Sequence, residues 1–366
     1  RPLQFLRWFC REDYLEEIEG DLTEVFIKQY ESSPRKAKWK FVWSVIKYFR
    51  PEFMKSFKDS YQPNSYGMYK SYFKIGWRNL LKNKGYSFIN ISGLALGIAC
   101  FLFLLSYVRY ERSYEDFHKN ADNIYRVTLD LYKGGEYLMT DCETHAPFGP
   151  LAKEEMPEVA DFVRLMNNDN TRVKIGEQKY LEERSYFADS SVFTIFSFKA
   201  LHGNLQGALS KPNQAVLTAS TAKKYFGNTD VVNETMEAQG GLYKITAVID
   251  DVPTNTHLKF NFLLSHITYP KIANNYTDQR WESGNNEYTY LLMAPGADIM
   301  AFNKKLTDLS AALKEKINED RFSAEPIKDI HLYSNKTYEP EANGNARTVY
   351  ALLLIAIFIM GLAWVN

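Results

Sequence analysis

The chain has 366 residues, 24 % of them charged, and a mean hydropathy of −0.36, so most of it must sit in water, and its length suggests two or three domains. Its 44 basic and 44 acidic residues balance, which gives no reason to expect nucleic acid as a partner. The balance hides a split. Residues 1–85 carry 17 Lys/Arg against 10 Asp/Glu and the remainder 27 against 34, the asymmetry a membrane boundary produces when basic residues stay on the cytoplasmic side.

The first element is "FCREDYLEEIEGDLTEVFIKQY", residues 9–30, which sets Leu15, Ile18, Leu22, Val25, Phe26 and Gln29 on one helical stripe opposite an acidic face. Ser33 and Pro34 read as N-cap and first residue of a second helix. That helix is expected to bury Phe41, Val42, Val45, Ile46 and Phe49 until Pro51 ends it. Two such helices make a small core, so the hairpin is expected to lean on a partner or on the membrane surface. Its Lys and Arg residues read as a solvated face first and as anionic-lipid contacts second.

"QPNSYG" reads as a linker, and "MYKSYFKIGWRNLLKNK" comes after it. Tyr69, Tyr72, Phe73, Trp77, Leu80 and Leu81 recur at helical spacing, while Lys70, Lys74, Arg78 and Lys82 return every four residues on another face. Aromatics and leucines opposite a basic stripe describe either an amphipathic helix packed on protein or one lying in the bilayer interface. The apolar run next to it favours the interface.

From Gly85 to Val108 there is no charge, and Ser87–Val108 alone is 22 residues. As a helix that is about 33 Å, enough for a hydrocarbon core of ~30 Å. A signal peptide would be shorter and nearer the N-terminus. No acidic residue occurs between Asp59 and Glu111, while Lys70, Lys74, Arg78, Lys82 and Lys84 precede the run. The positive-inside rule then places the N-terminus in the cytoplasm and the residues after Val108 outside. Gly93 and Gly97 form a GxxxG that would let another helix approach, although Gly and Ala are also simply common in membrane helices. A second uncharged run, Thr348–Asn366, is long enough to cross back or nearly so. Cys10, Cys100 and Cys142 are too few and too scattered for a disulfide framework or a zinc site. The chain opens on Arg1 and closes inside an apolar run, so a fragment of a longer product is expected.

Between the runs, "SYEDFHKNADNIYRV" reads as a helical extension turning into a strand at Tyr125–Leu131. "TRVKIGEQKYLEE" reads as a hairpin turning at Gly176, and "QAVLTASTAKKYFG" as a strand and a short helix stopped by Gly227. "TMEAQGGLYKITAVIDDVP" is a strand pair around a Gly-Gly turn, and "EYTYLLMAPGAD" is a further strand. A long helix from Asp298 would bury Ile299, Phe302, Leu306, Leu309, Leu313 and Ile317. The mixture predicts an α+β domain, as two subdomains. Chemistry is sparse. The six histidines show no HxH or HExxH spacing, and no G-x-S-x-G or Walker loop occurs, so no catalytic, cofactor or metal residue is assigned.

"YFKIGWRNLLKNKGYSFINISGLALGIACFLFLLSYVRYERSYEDFHKNADNIYRV" resembles the leading segment of FtsX-like, MacB-type ABC-transporter permeases, of the sort abundant in Bacteroidetes-like bacteria. The resemblance continues through "ITAVIDDVPTNTHLKFNFLLS", "YTYLLMAPGAD", "IKDIHLYSN" and "VYALLLIAIFIMGLAWVN", covering residues 69–366. The preceding segment looks like the prefix domain some of these permeases carry. The resemblance implies a membrane protein organised as a helical cytoplasmic prefix domain (1–60), a linker and in-plane helix (61–86), a transmembrane helix (87–108), a periplasmic α+β core domain (109–347) and a truncated second transmembrane helix (348–366). It also implies a bacterial inner-membrane location and no ATPase activity. ATP would be bound by a separate ABC ATP-binding subunit, whose movements reach the periplasmic domain for export or envelope remodelling. The implied partners are that subunit, a second permease copy or paired permease, a periplasmic adaptor, and lipids. Tyr69–Lys84 and Tyr107–His118 would belong to the moving part. The family's further spans, which carry its main ATPase contact, are missing from this sequence. A two-span signalling receptor with a periplasmic sensor remains the alternative, because it shares the order of span, outer domain and span.

Overall fold

The structure is a computed structural model that describes residues 2–31, 33–50, 53, 65–168, 170–272, 281 and 287–365. Two compact units divide the chain, Arg1–Ile91 and Ser92–Asn366.

The first unit begins with three helices, α1 (Pro2–Phe9), α2 (Glu12–Tyr30) and α3 (Pro34–Lys47). Their core is Leu6, Phe9, Cys10, Ile18, Leu22 and Val45. Helix α1 was not foreseen, and its Leu6 and Phe9 belong to that core. The core side of α3 is set by Ala37 and Val45, so Val42 and Ile46, on the opposite face, are exposed instead of buried, as are Phe49 and Val25 of α2. Pro51, expected to end α3, lies outside the described residues, as does the start of the "QPNSYG" linker. The rest of that linker is helical, because α4 (Ser65–Lys82) starts at Ser65.

Helix α5 (Lys84–Arg112) has 29 residues. Asn83 separates it from α4, but the bonds Asn83 N→Asn79 O (3.1 Å) and Ser87 N→Asn83 O (2.9 Å) carry the helical pattern across that residue. The helix stops at Arg112, so the expected extension through His118 becomes a run of turns. The other long apolar helix is α13 (Ala346–Val365). These two helices are long and apolar enough to cross a membrane, with mean hydropathies of 2.3 and 2.4.

Between them lies a mixed sheet of thirteen strands: β1 (Ile124–Lys133), β2 (Glu136–Asp141), β3 (Val159–Asn167), β4 (Thr171–Ile175), β5 (Gln178–Glu182), β6 (Ser185–Ala188), β7 (Ala200–Gly203), β8 (Gln214–Thr218), β9 (Thr235–Ala238), β10 (Gly241–Ile249), β11 (Phe262–Ser265), β12 (Glu287–Met293) and β13 (Arg321–Pro326). Their order is β13-β1-β12-β3-β6-β11-β8-β10-β9-β4-β5, with β2 on β1 and β7 on β10. The β8–β10 and β6–β11 pairs are parallel and the others antiparallel. The pairing runs unbroken through the region expected to hold two subdomains.

Strands β6 and β11 bury every residue, so both faces of the sheet are covered there. Alternation along the strands shows how. Tyr186, Val216 and Leu263 enter one apolar cluster, while Phe187, Leu217, Phe262 and Leu264 enter another on the opposite face. Short helices complete the layers: α6 (Phe148–Glu155), α7 (Val192–Ile195), α8 (Ala219–Phe226), α9 (Tyr269–Ile272), α10 (Ile299–Ala312), α11 (Lys314–Ile317) and α12 (Ile327–Tyr333). The side chain of Asp298 caps α10, accepting from Met300 N at 2.9 Å. The expected long helix breaks at Leu313, although Phe302, Leu306 and Ile317 are buried as its spacing demanded. The β9–β10 turn is made by Gln239 and Gly240, both at positive φ, and Gly241 already belongs to the strand.

Candidate functional site

Buried polar side chains gather where the two apolar helices meet the sheet. At the end of α5, Val108 and Glu111 are buried. The Glu111 carboxylate meets His331 Nε2 of α12 at 2.8 Å. The Tyr114 ring stacks flat on the His331 imidazole, with centroids 3.3 Å apart. His331 also holds the approach to α13, since its carbonyl accepts from Gly344 N at 2.8 Å. A Cβ at position 344 would lie 2.8 Å from both Glu111 Oε2 and His331 Nε2, so only glycine leaves room for this contact. Asn345 then caps α13 through Thr348 N (3.2 Å), and Tyr333 and Tyr350 join hydroxyls at 3.0 Å.

Two buried networks tie this clasp to the sheet. The first is centred on Glu115, which sits at φ 65°, a strained conformation for a side chain of its size. Its carboxylate accepts from Thr256 Oγ1 (2.9 Å), His257 N (2.7 Å) and His257 Nδ1 (2.9 Å). His118 Nε2 approaches at 3.3 Å. Ser197 N donates to His118 Nδ1, which leaves Nε2 as the protonated nitrogen facing Glu115. His257 Nε2 faces the Tyr290 hydroxyl of β12 at 2.7 Å. Burial alone would push the Glu115 carboxyl up. The neighbouring His257 and the hydrogen bonds from His118 and His257 outweigh it and hold the group well below the usual carboxylate range.

The second network is centred on Arg126 of β1, which is fully buried. Its guanidinium donates to Glu325 Oε1 (3.0 and 2.6 Å) on β13, to Ser334 Oγ (3.0 Å) and to Glu339 Oε1 (2.8 Å). The connection between α12 and α13 is thereby pinned to two strands. Burial works against the Glu339 charge, but Arg126 holds its carboxyl down to about 2. Lys328 of α12 adds weaker, exposed pairs with Asp116 (3.3 Å) and Asp122 (3.0 Å). Three of the six histidines, 118, 257 and 331, thus gather here. They lie far apart in the sequence, and no spacing links them. What could have been read was a pair of carboxylates within about two turns beyond the apolar run's end, Glu111 and Glu115.

Among the described residues no group of three His, Cys, Asp or Glu side chains is placed to hold a metal. The residues proposed for the membrane interface all lie on α4. Tyr69, Lys70, Tyr72, Phe73, Lys74, Trp77, Arg78, Leu80, Leu81 and Lys82 are exposed, with Phe73 and Trp77 stacked at 6.2 Å. Of the two packing glycines, Gly93 is exposed, whereas a Cβ on Gly97 would lie 3.1 Å from the Cβ of Ala363 on α13. Cys10 and Cys142 are buried and Cys100 is exposed.

The chain matches the family described as the MacB-like periplasmic core domain over residues 87–309. Among solved structures it is similar to a permease-protein domain from Porphyromonas gingivalis, with 16 % identity and a TM-score of 0.49 over 64 % of this chain and 99 % of that one. The periplasmic region of MacB from Actinobacillus actinomycetemcomitans aligns at 13 % identity and TM-score 0.43, over 57 % and 91 %. The extracellular domain of the noncanonic ABC-type transporter YknZ from Gram-positive bacteria aligns at 12 % and 0.40, over 56 % and 100 %. No curated protein matches.

Proposed function

The chain belongs to the family of the MacB-like periplasmic core domain, and from that premise we propose that it is the membrane subunit of an ABC transporter, itself without ATPase activity. α5 and α13 cross the inner membrane, the N-terminus is cytoplasmic, and residues 109–347 fold in the periplasm. The apolar windows of the two helices are 0 % and 11 % buried, where a helix in a soluble core would be mostly buried. The exposed aromatic and basic side chains of α4 support lipid contact at the cytoplasmic interface, whereas the helical bonding across Asn83 leads α4 into α5 without the sharp turn an in-plane helix would need. A separate subunit binds and hydrolyses ATP, and its strokes reach the periplasmic domain through the helices to drive export or envelope remodelling. The permease works as a pair, with a periplasmic adaptor as a further partner.

One observation carries the coupling role: the Glu111–His331–Gly344 clasp joins both apolar helices where each meets the sheet. Relative displacement of the helices cannot occur there without loading the Glu115 and Arg126 networks. A two-span receptor would share the element order, but the matched family speaks for the permease.

The test is reconstitution with the ATP-binding subunit in bilayers. The permease alone should hydrolyse no ATP, and it should change the rate of its partner. His331→Ala should reduce that effect while leaving complex formation intact. Robust hydrolysis by the permease alone, or coupling indifferent to the His331 substitution, would overturn the proposal. Sidedness is read with a membrane-impermeant thiol reagent in spheroplasts. Exposed Lys211→Cys should label and exposed Lys38→Cys should not; buried Cys142 is unsuited to this purpose.

A further inference from the structure

The three-helix unit at the N-terminus is divided by charge. Helix α2 carries seven acidic residues against Lys28, whereas α3 carries Arg35, Lys36, Lys38, Lys40 and Lys47 and no acidic residue. The core side of α3 is set by Ala37 and Val45. Directly opposite, at the i, i+3, i+4 and i+7 spacing of one helix face, stand Trp39, Val42, Trp43 and Ile46. All four are exposed, with Trp39 at 71 % and Trp43 at 59 %. A 100° step per residue puts Lys36, Lys40 and Lys47 along one flank of the stripe and Lys38 along the other. Beyond α3 the apolar surface continues through Phe49, which stacks on Phe5 of α1 at 5.8 Å.

We propose that this face of α3 docks on an anionic phospholipid surface. An apolar stripe with two exposed tryptophans, bordered by lysines and lacking any carboxylate, is complementary to a negatively charged bilayer interface: the indoles sit at headgroup depth and the lysines meet phosphates. Charge also sets the orientation, because the acidic face of α2 is repelled from such a surface. The inference goes beyond the permease reading, and it is tested separately from it.

The full chain carrying Cys100→Ser and Val42→Cys is labelled at position 42 with an environment-sensitive fluorophore, Cys10 and Cys142 being buried. In vesicles of phosphatidylglycerol and phosphatidylcholine, nitroxide-bearing lipids should quench the label and its emission should shift blue. In phosphatidylcholine alone the label should stay in water. Each lysine near an anionic surface contributes about a fivefold factor, so K36E/K40E/K47E should lower the docked-to-free ratio more than about a hundredfold. W39S/W43S should also release the face. Circular dichroism of both variants should match the parent, since every altered side chain is exposed. If α5 and α13 do not span, the chain will fail to float with phosphatidylcholine vesicles. Docking is then read from co-flotation with phosphatidylglycerol vesicles, lost in K36E/K40E/K47E. Quenching that ignores lipid charge and the lysine reversals overturns the inference. So does a label shielded only when the ATP-binding subunit is added, because the stripe would then be a protein-docking face.

Discussion

Replacing Glu115 by alanine removes the acceptor from four donors at once: Thr256 Oγ1, His257 N, His257 Nδ1 and His118 Nε2. None of them has water to turn to, because Glu115, His118, Thr256 and His257 are all buried. Taking one partner from a buried charged network costs about 3–5 kcal/mol. The altered residue keeps the positive φ, which still opposes any Cβ, so Glu115→Gly should be less destabilised than Glu115→Ala by about 1 kcal/mol. Glu115→Gln should fall between alanine and the parent, because its Oε1 can still accept from one pair of donors while its amide nitrogen cannot accept from the other. The assay is thermal unfolding of the full chain in bilayer nanodiscs. At about 2–4 °C per kcal/mol, Glu115→Ala should lower Tm by roughly 10 °C. An alanine variant within a few degrees of the parent, or one no worse than glycine, would refute the carboxylate's role as the hub of this junction.

Glu339 gives a pH signature. Its folded pKa, about 2, lies below the ordinary 4.5, so the unfolded state binds protons first as pH falls. Its contribution is present above pH 4.5 and is lost between 4.5 and about 2; Glu339→Gln should remove up to roughly 3 kcal/mol of acid-sensitive stability, read from denaturant unfolding across that window. Gly344→Ala should force Glu111 and His331 apart at a cost of about 1–3 kcal/mol, measured by the same thermal assay. Gly97→Cys with Ala363→Cys should form a disulfide under mild oxidant, since the Cβ positions are adjacent, while Gly93→Cys with Ala363→Cys should not. Lys328→Ala should change stability by less than about 1 kcal/mol, because its pairs are partly solvated.

The elements of the outer domain were legible wherever local signals agreed. The Gly176 hairpin, the β8–α8 step ended by Gly227 and the Asp298 cap each rest on turn or cap chemistry that neighbouring residues supply. The N-terminal unit was read less well. Periodicity identified α2 and α3 but could not say which face of α3 a third helix would cover, since α1 is short and its apolar residues carry no boundary signal. The junction was hardest. Glu115 is satisfied by residues 141 and 142 positions away, and Glu111 by one 220 away, and single-sequence spacing is blind to such pairings. The Tyr107–His118 segment enters only through the resemblance, which implies that it belongs to the moving part.

The two apolar helices enter the domain differently. Helix α5 runs without a break to Arg112, and Glu111, on its last turn, already belongs to the clasp. Helix α13 is reached only through the non-helical connection from Ser334 to Asn345. A continuous helix resists twisting along its whole length, so on the proposed reading a rotation of α5 about its axis would arrive at the sheet as torque. The connection before α13 is non-helical and pinned at Ser334, Glu339 and Gly344, so on the proposed reading it would pass on displacement of that helix at those tethers rather than twist along a helical axis. The pair therefore resembles a drive shaft beside a tie rod, and a turning stroke and a piston stroke would reach the outer domain by separate routes.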